Sequence, residues 1–275
     1  MKWYHYWGKV SMASTSFRLE IGAFKCTVVS DGTIRVPGPP LPDSSNSPGE
    51  VMDVSCLLIE KGQRKILIDT GCGSGFQTSA GKLLQNLLKE GVNPAQVNTI
   101  IYTHGHTDHV GGTFDSQGES IFPHTRHIVS RKEWDSWASM ADTSKQYPMF
   151  ASARKNLMPI RDKFDLAEEN SEVISGIKLL PASGHTLGNV MLEISSDKNR
   201  LLCIGDLIHS QLELTYPEYY SFLDFAPEQA VRLRTEGISK MAESGVLIFA
   251  CHFPFPGIGR FVQKGRILSW QPVQV

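Results

Sequence analysis

The sequence predicts an α+β domain in which two β-sheets pack face to face with helices outside, and three observations carry that prediction. At 275 residues the chain is long enough for one large domain with a sizeable core. Strand-like and helix-like segments recur in two similar halves with no linker between them. Each polar loop rich in metal-binding side chains adjoins an apolar strand, and face-to-face sheets would bring those distant strand ends to one edge. Residues 17–275 are therefore read as a single domain, and residues 1–16 as an N-terminal extension that is a candidate for disorder.

Phe17 to Ile21 and Lys25 to Ser30 have strand character and hinge at Gly22, with Asp31-Gly32 next as a tight-turn pair. Pro37 to Gly49, rich in Pro, Ser, Asn and Gly, is expected to be an exposed loop. Val54 to Ile59 and Lys65 to Ile68 are apolar strands joined by a polar hairpin turn, and the second ends at Asp69-Thr70-Gly71. Lys82 to Glu90 carries Leu83, Leu84, Leu87 and Leu88 at helical spacing, with Ser79 as candidate N-cap and Gly91 as the stop. Thr99 to Thr103 is a buried strand that completes a β-helix-β unit. Arg126 to Ser130 is a further strand, followed by helices over Arg131 to Met140 and Tyr147 to Leu157. Those helices bring Trp134, Trp137, Met140, Met149 and Phe150 to the core, to an apolar substrate wall or to a dimer surface. Ile177 to Pro181, Val190 to Ile194 and Leu201 to Ile204 are strands, Pro227 to Ser244 is a helix closed by Gly245, and Val246 to Ala250 is a last buried strand.

The densest chemistry lies in His104-Gly105-His106-Thr107-Asp108-His109, at the end of the buried strand. Imidazole nitrogen and carboxylate oxygen are ligands for zinc and similar divalent ions, and four such groups in six residues exceed what one ion takes from one loop. Two adjacent ions are the natural reading. Later loops add His185 between Gly184 and Thr186, Asp206 after Gly205, and His252 after the last long strand. His5, His124 and His127 lack acidic or imidazole neighbours at ligand spacing and receive no role. Pro256 to Arg260 has turn composition without phosphate-loop spacing, so it is expected to shape a pocket mouth.

Composition narrows the classes further. A formal net charge of −1 gives no basic field for nucleic acid, and no apolar run reaches membrane-spanning length. Five Cys without CxxC spacing suit buried free thiols and a reducing cytoplasm, and the aromatic opening Met1 to Trp7 is no signal peptide.

These ligand motifs resemble those of the metallo-β-lactamase superfamily over most of the chain. Ile204 to His209 and His252 to Gly259 are similar to the branch with methyl parathion hydrolase and related lactonases. The resemblance implies an αββα sandwich of two mixed sheets. It implies one ion on His104, His106 and His185, a second on Asp108, His109 and His252, and Asp206 bridging them. Zinc comes first, with manganese, iron or cobalt as alternatives. The implied chemistry is hydrolysis of a lactone, carboxylic ester or phosphotriester by a metal-bridging hydroxide. In this reading Asp108 also passes a proton to the leaving group, His209 meets substrate from the pocket wall or is structural, and Asp69 orients a ligand imidazole. A mononuclear iron oxidoreductase of the persulfide dioxygenase type is the alternative, and a non-catalytic binding protein ranks third. The expected partner is a small ester or lactone, with no nucleic acid or membrane and with a homodimer left open.

Overall fold

The computed structural model describes residues 6–7, 14–37, 49–138, 148–265 and 267–274. The first sheet follows chain order: β1 (Tyr6–Trp7), β2 (Ser16–Ile21), β3 (Phe24–Val36), β4 (Glu50–Lys61), β5 (Arg64–Ile68), β6 (Thr99–Ile101), β7 (Arg126–Ser130) and β8 (Phe164–Ala167). The second holds β9 (Glu172–Ile174), β10 (Ile177–Pro181), β11 (Val190–Ser196), β12 (Asn199–Cys203), β13 (Leu247–Phe249), β14 (Ile258–Lys264) and β15 (Ile267–Pro272), again as chain-order neighbours. Both sheets are mixed. β5 to β8 pair in parallel, as do β12 and β13, and the other neighbours are antiparallel.

Alternation places the core. In β2, Phe17, Leu19 and Ile21 are buried while Arg18 faces solvent, the period-2 pattern of a strand with one face covered. They join Ile59, Leu192, Ile194 and Phe249 in an apolar layer drawn from both sheets. The helices are α1 (Leu83–Lys89), α2 (Thr107–Val110), α3 (Arg131–Ala138), α4 (Pro148–Leu157), α5 (Gln211–Thr215) and α6 (Pro227–Ser244). Leu83 and Leu87 of α1, Trp137 of α3 and Leu157 of α4 pack with Leu58, Leu67 and Ile100 on one outer face. Ile238 and Met241 of α6 pack with Leu202 and Ile248 on the other. The result is the expected αββα sandwich.

Several local expectations change. Asp31-Gly32 makes no turn; β3 runs through it with a register shift against β4 between Ser30 and Gly32. Gly32 adopts φ +114°, and a Cβ there would lie 2.1 Å from the Ser79 carbonyl oxygen, so glycine is required. Ser79 does not cap α1. Asp31 does so across the fold: Oδ1 accepts the Leu83 amide at 2.8 Å, and Oδ2 accepts those of Cys72 and Gly81 at 2.9 and 3.1 Å. Leu88 of α1 is exposed, so the buried stripe is Leu83, Asn86 and Leu87. Residues 258–260 enter β14 and pair with β13 and β15, burying Phe261 beneath Trp270. The loop expected over 37–49 falls mostly outside the described residues, as do Met140 and the side chains of Met149 and Phe150. No helix among the described residues is long and apolar enough to cross a membrane.

Candidate metal centre

The seven ligand candidates meet at one edge of the sandwich. The turn after β6 carries His104 and His106 into α2, which holds Asp108 and His109. From the second sheet, the β10–β11 connection supplies His185, the turn after β12 supplies Asp206, and the turn after β13 supplies His252. All but Asp108 are buried, and the Asp108 side chain is 16% exposed at the pocket floor. The Val190 amide donates to the Thr103 carbonyl at 3.1 Å, joining the two sheets beside the cluster.

Three sets of candidate donors lie close together among the described residues: His104, His106 and His185; His109, Asp206, Cys251 and His252; and His185, His209 and Asp224. His104 Nε2, His106 Nδ1 and His185 Nε2 converge, with the last two nitrogens 2.7 Å apart. His109 Nε2 and His252 Nε2 lie 3.7 and 3.5 Å from Asp108 Oδ2. Asp206 stands between these imidazoles: Oδ1 is 3.2 Å from His109 Nε2, and Oδ2 is 3.2 Å from His185 Nε2 and 3.3 Å from His252 Nε2.

The rear nitrogens are held so that the front ones are free. His109 Nδ1 pairs with Asp69 Oδ2 at 2.8 Å, the ligand-orienting contact expected of Asp69. Asp69 also accepts the Thr103 amide and hydroxyl, each at 2.8 Å, which leaves that hydroxyl oxygen to accept from His104 Nδ1 at 3.1 Å. His252 Nδ1 donates to the Asp53 carbonyl at 2.9 Å. The opposite nitrogens, Nε2 of His104, His109 and His252, are buried without a hydrogen-bond partner. Buried polar atoms are seldom left so, and three imidazole lone pairs aimed at shared carboxylates fit divalent cations.

The electrostatics agree. Burial holds His104 and His185 well below the ordinary imidazole range and brings His106 down to about 4, so these three are neutral, the ligating form. Burial also opposes charge on His109, but Asp206, Asp108 and Asp69 outweigh it and raise its pKa. Burial opposes the Asp206 carboxylate too, yet His109, His252 and His104 hold it well below the usual range. The cluster thus demands positive charge, which protons or metal ions can supply.

His209 lies beside this cluster. Its Nε2 is 3.0 Å from His185 Nδ1 and 3.5 Å from Asp206 Oδ2, and Glu213 accepts from its backbone amide at 2.7 Å and from Nδ1 at 3.1 Å. Burial opposes the Glu213 charge, but His209 and Arg234 overcome it and bring its pKa down to about 2. Arg234 of α6 is fully buried and reaches Glu213 at 3.6 Å and Asp224 at 3.5 Å. Asp224 in turn stands 3.4 Å from His185 Nδ1. Sequence reasoning passed over Glu213, Asp224 and Arg234; the His209, Glu213 spacing of four across a short helix was the available signal.

A cavity of about 330 Å³ opens over the donors. Its described lining adds Ile34, Val36, Met52, Phe76 and Leu223 to the site residues and contains no Lys or Arg. Leu223 reaches it from the segment between α5 and α6. Trp134 and Trp137 pack instead in the layer beneath α3 and α4. His127 is buried against Tyr102, its Nδ1 3.1 Å from the Tyr102 hydroxyl, away from the donors.

An αββα sandwich with a buried histidine and carboxylate cluster where its two sheets meet defines a class of metal-binding domain. The chain belongs to the metallo-β-lactamase superfamily, whose family model matches residues 49–251. It is 29% identical over 178 residues to an N-acyl homoserine lactonase of Bacillus sp, a match covering 57% of this chain and 65% of that relative's length. The solved structure of AidC, a dizinc quorum-quenching lactonase bound to a product, superposes with a TM-score of 0.86 at 24% identity, over 94% of this chain and 98% of that one, a likeness of fold. The hydrolase AbOPH of the beta lactamase superfamily gives 0.85 at 26% identity, over 96% and 99%.

Proposed function

We propose that this protein is a dinuclear metal-dependent hydrolase acting on lactones first, with carboxylic esters and phosphotriesters as further candidate substrates. The observation that carries the proposal is the convergence of three unpartnered buried Nε2 atoms on the shared carboxylates Asp108 and Asp206. His104, His106 and His185 would hold one ion, Asp108, His109 and His252 the other, with Asp206 between. When bound, such ions supply Lewis acidity and a nucleophile from water at neutral pH, zinc being the first choice for this donor set. The lactonase relatives support the same substrate class.

The chain's own residues supply binding and proton handling. Ile34, Val36, Met52, Phe76 and Leu223 form an apolar wall that suits an apolar tail, and no Lys or Arg in the described lining extends the positive charge of the centre toward a polyanion. Asp108 borders the cavity, so its carboxylate can accept a proton from the nucleophile and return it to the leaving group. His209 borders it too and can offer Nε2 to substrate or leaving group in exchange for its contact with His185.

The test is elemental analysis of purified protein followed by turnover on lactones of increasing acyl length, aryl esters and a phosphotriester. Two equivalents of zinc, with efficiency on lactones rising with tail length, is the expected result. One iron with oxygen uptake would replace this reading by oxidation, and a preference for nucleotides would remove the apolar-tail argument.

A further inference from the structure

Glu133 lies in the first turn of α3, fully buried, and its carboxylate spans the two loops that feed the first group of imidazoles. Oε1 accepts the amide of Gly105, the residue between His104 and His106, at 2.9 Å. Oε2 accepts the Thr186 hydroxyl at 2.6 Å and the Gly188 amide at 3.0 Å, both in the loop carrying His185. Gly188 packs so closely that a Cβ there would lie 2.0 Å from the Glu133 backbone nitrogen. One loop belongs to each sheet, so this carboxylate joins them a residue away from the ligands.

The chemistry of the acceptor is specific. Three donors face two oxygens, and a carboxylate satisfies all of them because it is acceptor-only. A glutamine of the same size has one oxygen, and its amide NH₂ would confront either Gly105 or the Thr186 and Gly188 pair with donor against donor. Burying a carboxylate is costly unless its hydrogen bonds are made, so this side chain fits a place that needs every acceptor site.

We propose that Glu133 is a positioning residue that clamps the His104-His106 arm to the His185 arm, whose candidate donor atoms all lie within 4.8 Å of one another. The inference rests on the metal centre proposed above. It places the affinity of the first ion partly under the control of a residue that touches neither ion nor substrate.

Zinc affinities of both sites, measured by chelator competition, would be compared in wild type, Glu133→Gln, Thr186→Val and the core variant Ile194→Ala, with amide hydrogen exchange on the metal-free proteins. Loss of an orienting partner typically lowers metal affinity by roughly ten- to a hundredfold, which is the expectation for the first ion in Glu133→Gln. The second ion should change far less, and the Gly105 and Gly188 amides should exchange faster. Ile194→Ala loses thermal stability without touching these loops and should keep wild-type affinity. Equal affinity loss in Ile194→Ala, or wild-type affinity in Glu133→Gln, overturns the role. If Glu133→Gln does not fold, Thr186→Val decides: a smaller loss at the first ion supports the clamp, and unchanged affinity overturns it. A wild type that binds no metal overturns the centre itself, whereas normal wild-type binding with an unaffected Glu133→Gln overturns the clamp alone.

Discussion

Asp206 is approached by five imidazoles, those of His104, His109, His185, His209 and His252, at 3.2 to 3.8 Å. In the proposed centre this buried carboxylate, together with Asp108, would offset the repulsion between two cations. Asp206→Ala should bind one metal equivalent or fewer and lose at least about a hundredfold in turnover, since both the cation site and the nucleophile it supplies are impaired. Elemental analysis beside steady-state kinetics checks this; two retained metals with near-normal turnover would remove Asp206 from the centre. The seven ligand candidates were legible because a metal needs several scarce side chains in a short turn or beside glycine after a strand. Glu133, Asp224 and Arg234 were not. A glutamate in the first turn of an aromatic helix looks like an ordinary helix-dipole partner, and tertiary packing alone brings it against Gly105 and Gly188.

Among the elements, β3 and α1 depend on one another through Asp31. The strand bends at Gly32, and the bend points the Asp31 carboxylate at three amides, including the first of the helix. Asp31→Asn keeps the volume and loses acceptor capacity, so it should destabilise the protein by about 1–3 kcal/mol, the cost of leaving a buried donor unsatisfied. Urea denaturation checks the value, and a midpoint equal to wild type would mean that water or another acceptor takes over. Reading Asp31-Gly32 as a turn had a further effect. It ended the strand before Ile34 and Val36, which form part of the apolar wall. Local composition favours a turn at Asp-Gly, and eleven register pairs between β3 and β4 override it.

At the scale of the molecule, the strands read correctly carry apolar runs or apolar alternation, whereas the missed β8, β9 and β15 lie at sheet edges and β14 lies next to one. β8 and β9 are short and half-exposed, and β14 contains Gly259 and polar residues. Their extended shape comes from pairing: β14 is a strand because β13 and β15 flank it and Trp270 covers Gly259. The αββα architecture was legible through the resemblance that the ligand motifs carry, and the recurrence of strands and helices in two similar halves without a linker agreed with it.

The candidate ligands divide between the sheets, with His104, His106, Asp108 and His109 following β6, and His185, Asp206 and His252 coming from the opposite layer. Ions seated there would act as rivets through the sandwich, and occupancy would be thermodynamically linked to folding by mass action. Ligand at a hundred times its Kd stabilises a native state by about 2.7 kcal/mol. Chelation should therefore lower the Tm by several degrees, and the midpoint should climb with free zinc well after the catalytic rate has saturated. A Tm indifferent to zinc would mean that the two layers hold their edge unaided. If the rivets bear load, metal starvation would cost the cell the protein as well as its activity, because the ion-free sandwich would open first along the seam where its two halves meet.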